Sequence, residues 1–295
     1  MRSWLFAPGD DEKKLTKAYD CSADIVILDL EDSVAATAKA GARRTTLAFL
    51  QETAQDASGP RRYVRINAFA TGLADADLDT IMTGAPDGIM LPKATCGADI
   101  SMLDAKIAVR EALHDLTDGS TQIAAIATET AAAIFGLGTY AGASQRLAAL
   151  TWGGEDLATD IGAASNKDDA GEWTAPFQLA RNLCLFGSVA AGLPAIDTVF
   201  TNFRDEAGLA AECRAAARDG FAGKLAIHPA QVPSINAAFT PSAEALARAA
   251  RIVEAFTEAG DAGVVGLDGE MLDQPHLKAA QNLLARAAPA EVGKG

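Results

Sequence analysis

Ile25-Val-Ile-Leu-Asp-Leu-Glu-Asp32 is an apolar run of strand length that finishes in carboxylates. Runs of the same kind return at 3–6, 63–66, 88–91, 123–127, 147–152, 195–199 and 223–227, which with 25–30 makes eight predicted strands. Helical patterns fill 12–19, 39–52, 75–82, 99–116, 130–135, 176–190, 208–218 and 243–258, each after a strand. Eight βα units in order predict a parallel sheet, and eight of them within 295 residues favour closure into a (β/α)8 TIM barrel. The rival is an open doubly wound sheet, whose dinucleotide fingerprint G-x-G-x-x-G would follow the first strand. Here Gly136-Leu-Gly138-Thr-Tyr-Ala-Gly142 imitates it only loosely and follows a helix.

A further segment lies beyond the eight units. Residues 263–273 contain the hairpin-type turn Asp268-Gly269 between apolar neighbours, and a helix is expected over 275–286. The predicted organisation is a barrel over 1–258 and a hairpin-plus-helix extension over 259–295, a cap for the barrel mouth or an arm to a neighbouring subunit.

Composition narrows the function. With 25 basic and 39 acidic residues the formal charge is 25 − 39 = −14, which argues against a nucleic-acid or anionic-membrane partner. No apolar run approaches the ~20 residues of a membrane span. The apolar stretch at the N-terminus is short and broken by Pro8, unlike a secretory signal. Four scattered cysteines read as free thiols in a reducing cytoplasm.

Barrel chemistry gathers at the C-terminal ends of the strands. Those ends carry Pro8-Gly9-Asp10, Asp29-Leu-Glu31-Asp32, Arg65 with Asn67, Pro92-Lys93, Thr128-Glu129-Thr130, Gly153-Gly154-Glu155-Asp156, Asp197 and His228-Pro229. So many carboxylates around one mouth require a cation. Oxygen donors without a His or Cys cluster favour Mg²⁺, with Mn²⁺ possible, over zinc. Glu129 and Asp156 are the expected ligands, with Glu31 and Asp32 holding metal-bound water. Helix capping is the competing role for Asp32 and Glu155. It is the weaker role for Glu129, since Thr128 or Thr130 would cap better. Arg65, a guanidinium inside an apolar strand, requires an anion and suits a bidentate carboxylate. A metal beside an arginine fits a 2-oxo or 2-hydroxy acid. His228, at a strand end, is as well suited to packing as to catalysis. No G-x-S-x-G elbow or Walker loop occurs, which removes serine hydrolysis and P-loop phosphoryl transfer.

Arg2-Ser-Trp-Leu-Phe-Ala-Pro-Gly-Asp10, Ile27-Leu-Asp-Leu-Glu-Asp-Ser-Val34, Val64-Arg-Ile-Asn67, Leu91-Pro-Lys93, Ala127-Thr-Glu-Thr130, Gly153-Gly-Glu-Asp156, Ala195-Ile-Asp197 and Lys224-Leu-Ala-Ile-His-Pro229 follow one another in that order. As a set they resemble the citrate lyase beta-subunit-like family of CoA-ester lyases, within the HpcH/HpaI aldolase superfamily, over nearly the whole chain. The resemblance implies that Arg65 binds the oxo-acid carboxylate, that Glu129 and Asp156 ligate Mg²⁺, and that the strand-one loop and its lysines hold CoA. The substrate-binding set is then Arg65, Gly154, Glu155, Pro8, Lys14 and Lys17, and the catalytic set Arg65, Glu31, Asp32 and Asp273. Asp273 matches an acid that relatives supply from a neighbouring subunit, which implies a homo-oligomer, a trimer or hexamer. Glu270 stands where a basic or neutral residue is common in the family.

The implied reaction is a reversible Claisen-type cleavage of a 3-hydroxyacyl-CoA, of the citramalyl-, malyl- or citryl-CoA type, to acetyl-CoA and a 2-oxo acid. Two alternatives stay within the family: a citrate lyase beta subunit acting on an acyl-carrier-protein thioester, and a malyl-CoA thioesterase or malate synthase-like enzyme.

Overall fold

The aliphatic run at 25–29 forms β2 (Ile25–Asp29), a strand buried along its full length. In the computed structural model, which describes residues 1–260 and 262–287, β2 lies between β1 (Ser3–Pro8) and β3 (Arg61–Arg65), parallel to both. The sheet continues through β4 (Gly88–Leu91), β5 (Gln122–Ile126), β6 (Leu147–Thr151), β7 (Ala195–Asp197) and β8 (Gly223–Ala226). β8 pairs with β1, so the eight strands close in sequence order into the expected barrel.

Successive side chains of a strand point to opposite faces, and the two faces of this sheet hold separate cores. Trp4, Ile25, Ile27, Tyr63, Met90, Ile126, Ile196 and Leu225 fill the barrel interior, with Trp4 and Tyr63 packed edge to face at 5.2 Å. Leu5, Val26, Leu28, Val64, Ile89 and Ala125 point outward into the layer shared with the helices. That layer comprises α1 (Glu12–Tyr19), α2 (Lys39–Glu52), α3 (Ala74–Ile81), α4 (Gly97–Leu113), α5 (Ala131–Gly136), α6 (Glu155–Asp160), α7 (Ala175–Ala190), α8 (Glu206–Asp219) and α9 (Val232–Phe239).

α6 and α9 have no counterpart among the predicted helices. α9 packs on β1, β8 and α8 and completes the eighth βα unit. The helix expected in that role, α10 (Ala243–Glu258), groups instead with β9 (Val264–Leu267), β10 (Glu270–Asp273) and α11 (Gln274–Ala287). Ala249, Ile252, Phe256, Val265, Leu272 and Ala280 give this group its own small core. The chain therefore divides into two compact units, Met1–Phe239 and the segment from Thr240 onward. In the second, Asp268 and Gly269 turn β9 into β10 at φ 52° and 82°. Positive φ at both central positions is what a two-residue type I′ hairpin turn requires, and Asp-Gly tolerates it. Part of the predicted extension, Asp261 and residues 288–295, lies outside the described residues.

Candidate active site

The alternation that sends Ile25 and Ile27 into the barrel also sends Asp29 there, at the C-terminal end of β2. Its register partner on β3 is Arg65. The two form a bidentate pair, Arg65 Nε to Asp29 Oδ1 at 2.6 Å and Nη2 to Oδ2 at 2.7 Å. Asp29 also accepts the backbone N–H groups of Glu31 and Ser33. Burial opposes its charge, but Arg65 holds its carboxyl below the usual carboxylate range. The guanidinium lies over the Phe6 ring at 4.7 Å, and Nη1 stands 2.9 Å from Glu31 Oε2, out of hydrogen-bond alignment.

These residues floor a cleft of about 420 Å³ lined by Phe6, Pro8, Asp29, Asp32, Arg65, Glu129, Gly154, Glu155 and Asp156, among others. Of the predicted mouth residues, Arg65, Asp32, Glu129, Gly154, Glu155, Asp156 and Pro8 thus converge on one cavity. Glu31 sits beside it, buried against Arg65 and Lys93.

Lys93 ties the ring together. Its backbone is left-handed, φ 52°, which sets its N–H on Glu129 Oε2 at 2.5 Å. Its Nζ reaches Glu31 Oε1 at 2.5 Å, Asp156 Oδ1 at 3.4 Å and Asp32 Oδ2 at 3.5 Å. Glu129 is 3 % exposed, and among the described residues no cationic side chain forms an ion pair with it. Burial pushes its carboxyl up to about 8; the Lys93 N–H and ammonium work against this, while Asp156 and Glu31 add to it. Glu31 is raised as well, by burial against the pull of Arg65 and Lys93.

Local structure keeps Glu129 available. Thr130 caps α5 by accepting the Ala133 N–H, so Glu129 has no capping duty. A Cβ on Gly153 would stand 2.6 Å from Glu129 Cγ, so the Gly153-Gly154 turn is what admits the glutamate beside β6. Asp156 and Glu155 occupy the first turn of α6, where Glu155 accepts the Asn166 amide.

The remaining predicted residues are dispersed. Lys14 is exposed and paired with Asp11 at 3.2 Å. It lines a shallow depression that shares Pro8 and Ser33 with the mouth, whereas Lys17 lines another with Cys21 and Pro229. Asp273 belongs to the second unit, ends β10, and contacts His276 Nδ1 at 2.5 Å; that hydrogen bond holds its carboxyl below its ordinary range.

Three strand-end groups serve structure instead of the mouth. Asp197 follows the opposite face of β7 from Ile196 and is buried with Lys224, Trp152 and Arg181. Asn67 donates its N–H and amide to Asp77 of α3. The His228 ring stacks on Phe203 at 4.9 Å, and its Nδ1 accepts the Ala230 N–H. Two mouth residues, Asp29 and Lys93, have no expected role from the sequence and acquire one only from their contacts with Arg65, Glu31 and Glu129. The signal for Asp29 was present: a buried arginine needs an anion, and an acid stood at the same end of the preceding strand.

The mouth suits a hard cation with oxygen ligands. Among the described residues no three His, Cys, Asp or Glu side chains gather closely enough to hold a metal by themselves. Magnesium does not ask for that, because it keeps several waters and takes one or two carboxylates. Glu129, a buried carboxylate without an ion-pair partner, and Asp156 on the same cleft are the pair that could supply them.

Fold and mouth together define a (β/α)8 enzyme whose carboxylates converge where its parallel strands end. The chain belongs to the HpcH/HpaI aldolase/citrate lyase family, whose family model matches residues 2–229, and it is a carbon–carbon lyase. It is 34% identical over 298 residues to the mitochondrial citramalyl-CoA lyase of Rattus norvegicus, covering 97% of this chain and 86% of that one. It is 36% identical over 293 residues to a (3S)-malyl-CoA thioesterase of Cereibacter sphaeroides, covering 97% and 94%. Among solved structures it resembles CitE of Mycobacterium tuberculosis in complex with magnesium, acetoacetate and coenzyme A, with a TM-score of 0.76, 32% identity and 97% of each chain covered. Among the described residues no helix is long and apolar enough to cross a membrane.

Proposed function

We propose that this chain is a Mg²⁺-dependent lyase that cleaves a 3-hydroxyacyl-CoA to acetyl-CoA and a 2-oxo acid. The observation that carries the reading is Glu129, a buried carboxylate raised to about 8 and lacking an ion-pair partner among the described residues, in the same cleft as Arg65 and Asp156. Glu129 and Asp156 would hold the cation, which supplies Lewis acidity to the substrate's carboxylate and hydroxyl oxygens.

The protein's own groups do the rest. Arg65 is fixed by Asp29 through Nε and Nη2, and its Nη1, beside Glu31 but out of hydrogen-bond alignment with it, is assigned to the substrate carboxylate. Because Asp29 pre-orients the guanidinium, little reorganisation accompanies charge development. A carboxylate of the mouth takes the hydroxyl proton, the carbon that bore it becomes the carbonyl of the 2-oxo acid as the adjacent C–C bond breaks, and the electron pair passes to the carbon alpha to the thioester. Asp273 of a neighbouring subunit is assigned the proton transfer at that carbon, within a homo-oligomer. The depression from Pro8 to Lys13 and Lys14 is the assigned path of the CoA nucleotide.

Incubation of the purified protein with Mg²⁺ and citramalyl-, malyl- or citryl-CoA tests the reading, with products identified by mass spectrometry. Acetyl-CoA plus pyruvate, glyoxylate or oxaloacetate supports it; no turnover of any of the three sinks it. The likeness to a malyl-CoA thioesterase favours one second reading, net hydrolysis, which free CoA and malate would reveal. Mixed Arg65→Ala and Asp273→Ala proteins, each inactive alone, should regain activity on subunit exchange if Asp273 acts across subunits.

A further inference from the structure

We propose that Lys93 is the resident cation of the mouth, and that a divalent cation enters by taking Asp156 away from it. The inference rests on the reading that Glu129 and Asp156 hold the divalent cation. Lys93 is bound to both of them, by different parts of the residue. Its main chain holds Glu129 Oε2, and its ammonium stands over Glu31, Asp32 and Asp156. The left-handed backbone at Lys93, uncommon for a residue with a Cβ, is what allows both at once.

The distances rank the three ammonium contacts. Glu31, at 2.5 Å, is a hydrogen bond; Asp156 and Asp32, at 3.4 and 3.5 Å, are ionic contacts only. A doubly charged ion on Asp156 repels an ammonium held 3.4 Å from the same carboxylate. The ammonium therefore gives up the two looser contacts and stays on Glu31, which Arg65 Nη1 also faces. The side chain is 30 % exposed, so it has room to withdraw. Lys93 has two consequences in this scheme. It keeps the carboxylates compensated before the ion arrives, and it weakens the ion's binding by competing for Asp156. The structural alternative is that Lys93 matters only through its backbone N–H, which any residue would supply.

Mn²⁺ titration without substrate, read by electron paramagnetic resonance of the free ion, separates these. Lys93→Met and Lys93→Asn, the latter a residue that accepts left-handed backbone, are expected to lower the Mn²⁺ Kd about tenfold. Lys93→Arg, which keeps the charge, should stay within about threefold. A Kd that is unchanged or raised in both neutral variants, each verified as folded by circular dichroism, overturns the proposal. Asp156→Ala in the same titration tells the two levels apart. If it abolishes Mn²⁺ binding while the Lys93 variants match the parent, only the role of Lys93 falls. If it binds Mn²⁺ as the parent does, the site assignment is wrong and the proposal goes with it.

Discussion

Two charge clusters, each built around a buried carboxylate, belong to the same barrel, and they differ in balance. On the flank, Lys224, Arg181, Lys167 and Arg218 meet Asp197, Glu212 and Asp219, four cations against three carboxylates. Lys224 is fully buried; burial works against its charge, but Asp197 and Glu212 outweigh that and raise its pKa. Asp197 is satisfied on both oxygens, by Trp152 Nε1 at 2.7 Å and Lys224 Nζ at 2.9 Å. At the mouth, Arg65 and Lys93 face Asp29, Glu31, Asp32, Glu129 and Asp156, two cations against five carboxylates. A cluster compensated from within can only hold the fold. One with negative charge left over is built to be completed by something that comes and goes.

The comparison breaks most visibly in activity. Asp156→Ala should lower kcat/KM about a thousandfold or more with the fold retained, while Lys224 variants that fold should keep KM for the thioester near the parent value. Steady-state kinetics with circular dichroism checks both; an active Asp156→Ala enzyme would erase the distinction between the clusters. In stability the order reverses. Lys224→Ala leaves one oxygen of the buried Asp197 without its ammonium and Glu212 with Lys167 alone, and should cost about 3 kcal/mol in denaturant unfolding, a loss that Asp156→Ala should not show.

The smallest effect is also the one that separates the clusters by sign. Glu129, raised from its ordinary 4.5 to about 8, binds its proton more tightly folded than unfolded. Between those two pH values the folded protein carries more protons, so metal-free stability declines as pH rises through that window and levels off above it. Glu129→Gln should remove this slope and raise the metal-free Tm at pH 8 by a few degrees, roughly what about 1 kcal/mol yields. Asp197, held below its usual range by Lys224 and Arg181 against the cost of burial, follows the opposite sign and loses its contribution only in acid. A Glu129→Gln protein whose Tm-against-pH curve overlays the parent's would remove the imbalance at the mouth.

Much of the site was legible because strand ends are legible. Arg65, Glu129, Asp156 and the Gly153-Gly154 turn could each be placed from an apolar run and its last residues, and the barrel brings them to one cleft. Lys93 was harder. A lysine after Leu91-Pro92 looks like a solvated loop residue, and only the left-handed turn aims its N–H and ammonium at three other strand ends. Asp197 leaves the mouth for a related reason: it stands at a strand end, but a shift of one residue in a pleat of period two points it to the flank.

By itself the sequence determined the eight strands, their order and the acid excess at their ends, because burial period and residue charge are local properties that survive without coordinates. It also determined the Asp268-Gly269 turn, since φ demands there depend on two residues only. The tertiary structure alone decided which acid each cation takes. Arg65 chose Asp29 because parallel register sets those two side by side. It also decided that α10 stands with the hairpin, because the contacts that give α10 a core come from Val265, Leu272 and Ala280, residues brought to it by the chain's return. Pairing among like candidates is settled by distances of a few ångströms, and those exist only once the barrel has closed.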